Sequence, residues 1–488
     1  MDTNHSNNDL QKLQDQMAEK YKNPKNVEQF GIEPIPDELR TVKWLDLFAI
    51  FASFFITPVH MMIAGTAILV TGLSFWGAIL SQVLGAAIAF TCFCLFAVAG
   101  TDYGLPGAVA TRFVLGAKFS RFGPSILRWV TSMFYFAAQT LGAGLGIQAL
   151  LRELTGTTYN LIVISFLFAV FQTIIAIIGF DTFKKFTRFI FPIKILGMGY
   201  IGYAFITCGL PNFEWSVVSA FPASQPGWVG FAAMTSLGAG VFMTLITDAS
   251  DFCRYTRSRA DMWGGVLLGA TFSVAYVSFF GAYAAAAIGN WNAFDAMTYL
   301  HPSVGIIFFL LLMIVLDNWS SNILNLYTAG LCMVNVFPKI GRFWTTFISG
   351  VVATFACLFP TFIDNAGPIM DKFGLVYSPL VGVIIADFVI LKRYKINVND
   401  VFNEHGQYRY NNGINWLAVI VVVIGCFTFS LWPTAMIPSL SNAVLCLILY
   451  YVLAKVVSPY WAEIRDAIKP YEGEQNLKDV ARELVKQN

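Results

Sequence analysis

The sequence predicts an all-α integral membrane protein with twelve spanning helices, and three observations predict it. The 488-residue chain is 57% hydrophobic and only 12% charged, where soluble domains carry about 25% charged residues. The charges gather at the ends. Of 31 basic and 29 acidic residues, 60 in all, 25 fall within 1–43 and 458–488, leaving 35 for the 414 residues between. Inside those limits apolar runs recur, each near the roughly 20 residues that a helix needs to cross a bilayer. Such a chain has the lipid bilayer as its solvent. That excludes a soluble enzyme, a nucleic-acid reader and a secreted disulfide scaffold. A net charge of +2 implies no bulk electrostatic partner.

In order, the runs are 46–70, 76–99, 124–150, 160–180, 190–210, 228–248, 263–289, 303–333, 343–363, 373–391, 414–432 and 436–457. Runs this long and this numerous are helices, because a membrane barrel shows short alternating segments instead. Lys and Arg in the connections set the orientation. If the N-terminal tail is cytoplasmic, the cytoplasmic connections carry Arg112, Lys118, Arg121, Lys184, Lys185, Arg188, Arg254, Arg257, Arg259, Lys339, Arg342, Lys392, Arg393, Lys395 and Arg409. The other side has Arg152 and Lys372. Both termini are therefore expected in the cytoplasm and the chain in the cell membrane. The division is a tail over 1–43, a twelve-helix core over 44–457 and a second tail over 458–488.

Residues 1–30 are polar and read as disordered or weakly helical, with no early apolar core of a signal peptide. In the C-terminal tail, Trp461, Ile464 and Ile468, then Leu477, Val480 and Leu484, have the spacing of short surface helices. The eight cysteines lie mostly in apolar runs. Cys92 and Cys94 lack the spacing and companion histidine of a zinc site, so all read as small buried hydrophobes.

Several spans are not uniformly apolar. The first contains Ile56-Thr57-Pro58-Val59-His60; proline removes a backbone donor and clashes with the preceding turn, so the helix should kink or open there. The sixth contains Ser236-Leu237-Gly238-Ala239-Gly240, which fits either close helix packing or an unwound stretch lining a cavity. Interruptions five spans apart are the pattern of two inverted five-helix repeats, here about 46–210 and 228–391, with 414–457 trailing. The eighth span holds Asp317, Asn318, Ser320, Ser321, Asn322 and Asn325. Polar groups in lipid are costly and face a bundle interior or water. The third span offers Tyr135 and Gln139, four apart and on one face: a ring to stack on and an amide that both donates and accepts. The titratable groups expected at membrane depth are His60, as substrate ligand or proton carrier, and Asp317, as proton carrier, ion ligand or a buried paired carboxylate.

Further along, Pro379-Leu-Val-Gly-Val-Ile-Ile-Ala-Asp-Phe388, Lys392-Arg393, Gly406-Gln-Tyr-Arg-Tyr410 and Gly413-Ile-Asn415 resemble the nucleobase–cation symporter family. Gly31-Ile-Glu-Pro-Ile-Pro-Asp-Glu-Leu-Arg40 and Ser321-Asn…Asn325-Leu-Tyr327 are similar to its purine–cytosine permease branch. The resemblance runs from about residue 28 to 455. It implies a LeuT-type fold of two inverted five-helix repeats plus two trailing helices, and symport of a nucleobase-like ring with sodium or protons. Position by position, it implies a stacking aromatic at Tyr135, where many members have Trp, and its amide at Gln139. It further implies a second aromatic at Phe242, a substrate amide at Asn322 or Asn325, and sodium ligands at Ser320 and Ser321.

The reading that results is a symporter for cytosine or a purine, clamped by Tyr135 and Phe242, read at its edge by Gln139 and Asn322 or Asn325, with opened backbone near Gly238, Gly240 and Thr57 completing the site. Sodium would take the Ser320 and Ser321 hydroxyls with carbonyls of Ile56 and Thr57. A proton would need only His60 or Asp317. No cofactor beyond the coupling ion is expected. A membrane enzyme would need a convergent acid–base or metal set, and a channel would need a continuous polar lining. The nearer alternative is another small ring: allantoin, hydantoin, or a thiamine- or pyridoxine-related ring.

Overall fold

A computed structural model describes residues 2–21, 30–176, 180–224, 227–403 and 405–487. Each of the twelve runs is helical there, and among the described residues there is no strand, only isolated bridges such as Val42 with Thr256. Among the described residues, eight stretches are long and apolar enough to span: Phe75–Tyr103, Ala117–Thr155, Ile190–Thr207, Trp228–Cys253, Arg259–Ile288, Val304–Val336, Ala366–Leu391 and Pro438–Val457. The first span makes a ninth as a broken pair, Trp44–Phe54 and Pro58–Leu69, bent by 60°. The fourth and eleventh runs form shorter apolar helices, Leu161–Ile174 and Trp416–Leu431. The ninth is Arg342–Ala356. Residues 177–179, at the end of the expected fourth span, lie outside the described residues. The fifth helix starts earlier than its apolar run, at Phe180.

Pro58 explains the first break. It stands in the first turn of Pro58–Leu69, where its missing N–H has no intrahelical partner to lose, and Thr57 before it is extended at φ −142°, as a residue preceding proline prefers. Both halves are held by the seventh span. Gly265, Gly269, Ser273 and Gly281 recur at multiples of four along Arg259–Ile288 and so share a face. A Cβ at Gly265 would lie 2.6 Å from the Trp44 carbonyl oxygen, and one at Gly281 only 2.1 Å from that of Met61. Ser273 donates to the Phe51 carbonyl at 3.2 Å. Lipid offers no hydrophobic drive between helices, so this close backbone approach supplies much of the attraction.

The loop after the tenth span is a clasp. That span ends in a π-helical turn, Ala386–Leu391, where Asp387 pairs with Lys392, both fully buried, and accepts from the Tyr450 hydroxyl at 2.9 Å. Asn415 donates to that hydroxyl at 2.9 Å and to the Val114 carbonyl at 2.7 Å, and Tyr410 donates to the Phe113 carbonyl at 2.8 Å. The residues that carry the family resemblance thus tie the tenth and twelfth spans to the connection ahead of the third.

Of the two readings of the N-terminal tail, the helical one applies to Asp2–Tyr21; Leu13 and Met17 on it are buried, and it packs on Leu477–Gln487, where Lys20 donates to the carbonyls of Leu484 and Val485 at 3.1 Å each. Its sequence is too polar to hold a helix alone, and the partner helix, far away along the chain, supplies the apolar surface. Of the apolar positions expected in the C-terminal tail, Ile464, Ile468, Leu477, Val480 and Leu484 are buried, whereas Trp461 is half-buried. All eight cysteines are free, five of them buried.

Candidate functional site

The break in the first span opens the centre of the bundle. Beside it lies a narrow cavity of about 20 Å³, room for a water-sized group. Tyr135 and Gln139 reach it from the third span, Phe242 from the sixth, Asn325 from the eighth, and Phe54, Phe55 and His60 from the two sides of the break. Five of the expected substrate residues therefore share one wall-to-wall space: His60, Tyr135, Gln139, Phe242 and Asn325.

Its polar corner is a pair of amides. Asn325 Nδ2 donates to Gln139 Oε1 at 3.3 Å and to Asn322 Oδ1 at 3.1 Å. The pair offers a donor and an acceptor side by side. Asn322 does not line the cavity. Its amide nitrogen shares its two hydrogens among Thr140 Oγ1 at 2.9 Å and Gln172 Oε1 at 2.7 Å on neighbouring helices and Asn318 Oδ1 at 2.9 Å on its own. Asn318 in turn donates to the Gln139 carbonyl at 2.6 Å. Of the two candidates for the eighth-span substrate amide, Asn325 faces the cavity and Asn322 holds it in place.

The apolar walls are aromatic. His60 lies parallel to Phe242, centroids 5.5 Å apart and planes 6° from each other, and its Nδ1 meets Thr57 Oγ1 at 2.8 Å. Phe55 meets Phe242 edge-on at 5.3 Å. Tyr135 packs on Phe373 at 5.6 Å, and its hydroxyl donates to the Val241 carbonyl at 3.3 Å, fixing the third span to the sixth. One face of Phe242 thus already carries a flat, nitrogen-bearing ring belonging to the protein.

Gly238 and Gly240 do not open the sixth helix. Trp228–Met243 is continuous through both. A Cβ at Gly238 would lie 2.8 Å from Gln82 Oε1, and one at Gly240 2.8 Å from the Gly374 Cα. These glycines exist for close packing on the second and tenth spans, the other of the two readings that glycine in a membrane helix allows. The irregular stretch comes later, as a 3₁₀ turn over Thr244–Asp248, and Thr244 and Leu245 at its start line the cavity. At its far end Asp248 pairs with the buried Arg128 of the third span at 2.6 Å.

The expected sodium ligands meet a different partner. Ser321 Oγ donates to the Phe54 carbonyl at 3.0 Å, so first-span carbonyls do face the eighth-span hydroxyls. They are those of Ser53 and Phe54. The Thr57 carbonyl instead accepts from the amides of His60 and Met61 at 3.1 and 3.2 Å, because it starts the second half-helix, and Ile56 is buried in the break. Among these oxygens stands Lys194 of the fifth span, its side chain 1% exposed. Its Nζ lies 2.5 Å from Asp317 Oδ1 and 3.2 Å from Ser320 Oγ, and it donates to the Ser53 carbonyl. The titratable groups at membrane depth thus include Lys194 besides His60 and Asp317. Its signal was present: Lys194 is the one charged residue between 190 and 210. A sodium ion on the same oxygens would sit a few ångströms from the ammonium, and unit charges 4 Å apart repel by about 4 kcal/mol at an effective dielectric of 20. The residues present do not fit sodium while Lys194 is charged.

A family model described as "Permease for cytosine/purines, uracil, thiamine, allantoin" matches residues 34–451. Among curated proteins, the chain is 24% identical to the hydantoin permease of Microbacterium maritypicum over 81% of this chain and 83% of that one. It is 26% identical to the cytosine permease of Escherichia coli O157:H7 over 87% and 93%, and 26% identical to the thiamine transporter THI72 of Saccharomyces cerevisiae over 75% and 66%. Among solved structures, it superposes with a TM-score of 0.78 at 21% identity on Mhp1, a nucleobase-cation-symport-1 family transporter in a closed conformation with bromovinylhydantoin bound, over 90% of this chain and 98% of that one. A Na⁺-coupled sialic acid symporter gives 0.58 at 13% identity over 91% and 96%. The fold is the LeuT-type one that the resemblance implied.

Proposed function

The chain belongs to the family of permeases for cytosine/purines, uracil, thiamine and allantoin, and from that premise we propose that it imports a nucleobase, cytosine or a purine, by symport across the cell membrane with both termini in the cytoplasm. It is a multi-pass membrane transporter and not an enzyme. The observation that carries the substrate reading is the Gln139–Asn325 amide pair at the edge of a cavity walled by Tyr135 and Phe242. A flat ring stacked on an aromatic gains roughly 1–3 kcal/mol, and an amide matches an adjacent donor and acceptor on a base edge. Cytosine and the purines present such an edge on a planar ring. Hydantoin and allantoin present one as well, and relatives named as permeases for those rings keep a small non-nucleobase heterocycle as the second reading. The orientation rests on the fifteen basic residues facing two, and on the two tails lying together.

Binding measurements on purified variants test the site. Phe242→Ala and Tyr135→Ala should each weaken cytosine binding about tenfold, or about 1.4 kcal/mol, whereas Tyr135→Phe, which keeps the ring, should bind as the parent does. Gln139→Leu and Asn325→Leu should keep the stacking surface but lose edge recognition, so affinity falls while discrimination among cytosine, hypoxanthine, hydantoin and allantoin flattens. Unchanged affinity in both alanine variants, with parental discrimination in both leucine variants, would place the substrate elsewhere.

A further inference from the structure

The oxygens at the crossing of the first and eighth spans form a cation site, and the protein fills it itself. An ammonium has three donors and no acceptor. Lys194 Nζ donates to the Ser53 carbonyl and to Ser320 Oγ, and it forms an ion pair with Asp317 Oδ1 at 2.5 Å. Ser320 sends its own hydrogen to the Asp317 carbonyl at 2.8 Å, which leaves a lone pair for the lysine. The ammonium therefore joins the fifth span, the end of the first half-helix at Ser53 and the eighth span at Ser320 and Asp317. A coupling ion bound at this crossing would make that same junction. The carboxylate balances the charge, so the filled site is neutral.

We propose that the Lys194 ammonium is the resident cation of this site, and that the transporter therefore neither binds nor requires sodium there. This rests on the reading of the chain as a symporter; the cation that accompanies the substrate then does not bind at this crossing. Removing the lysine side chain leaves a carboxylate, a hydroxyl and a carbonyl facing a hole of one positive charge, a set of oxygen ligands of the kind a hard cation takes.

The test needs no nucleobase, so its outcome is independent of which ring is carried. Retention of radioactive sodium by the purified full chain is measured beside its thermal unfolding in sodium chloride and in choline chloride of equal ionic strength. The parent protein is expected to retain no more sodium than Ser321→Ala and to unfold at the same temperature in both salts. Lys194→Met is expected to retain at least tenfold more sodium than the parent and to unfold higher in sodium than in choline. Adding Asp317→Asn to it should abolish both gains. Sodium retention by the parent that Ser321→Ala removes, or a parental unfolding temperature raised by sodium, overturns the proposal; these parental arms decide it even where Lys194→Met does not fold.

Discussion

Asp387→Ala is expected to destabilise the folded transporter by about 3–5 kcal/mol, the usual consequence of leaving one partner of a buried ion pair without the other. Lys392, which pairs with Asp387, has a side chain with no exposed surface, so its charge cannot reach water without opening the clasp. The Tyr450 hydroxyl loses its acceptor in the same step, and with it the anchor of Asn415 weakens. Thermal unfolding in detergent should show a lower midpoint and a lower yield of monodisperse protein. The double variant Asp387→Ala/Lys392→Met removes both charges and should recover part of the loss. If the double variant is no more stable than the single one, the ion pair is not what holds this loop.

Gly281→Val should have an effect at least as large, through packing alone. The Cβ that any side chain adds at this position would fall 2.1 Å from the carbonyl oxygen of Met61 and 2.7 Å from its Cα. The obstacle is backbone on backbone, so no rotamer change relieves it. Overpacking ordinarily costs about 1–3 kcal/mol where side chains can shift, and here the second half of the first span must move away from the seventh. Since that half-helix carries His60 to the cavity, residual folded protein should also bind substrate poorly. Size-exclusion profiles of the alanine and valine variants, in that order of severity, check the expectation; a valine variant that folds and binds normally contradicts the packing described for the first and seventh spans.

Much of the site was legible because lipid makes polarity conspicuous. Pro58 in an apolar run announced the break in the first span, and the break is there. Tyr135 and Gln139 were readable as one helix face, and the structure sets both at the cavity. The polar eighth span was readable as functional but not as three separate roles. Only the packing of the third, fourth and fifth spans shows that Asn325 faces the cavity, that Asn322 spends its amide on Thr140 and Gln172, and that Asp317 answers Lys194. Gly238 and Gly240 misled because glycine serves an unwound helix and a tightly packed one equally well. Lys194 was countable in the sequence, but its meaning depends on acceptors in the first and eighth spans, which no local pattern connects to it.

In the proposed transport cycle the cavity beside the first-span break carries a nucleobase. Uptake of radiolabelled cytosine into proteoliposomes holding the purified chain, competed with unlabelled cytosine, adenine, hypoxanthine, hydantoin, allantoin and thiamine, tests it most directly. Saturable uptake is expected, which cytosine or a purine inhibits at lower concentration than the other rings do, and which Asn325→Leu reduces about tenfold or more. Absence of saturable uptake, or uptake that hydantoin, allantoin or thiamine inhibits more strongly than every nucleobase, would contradict it.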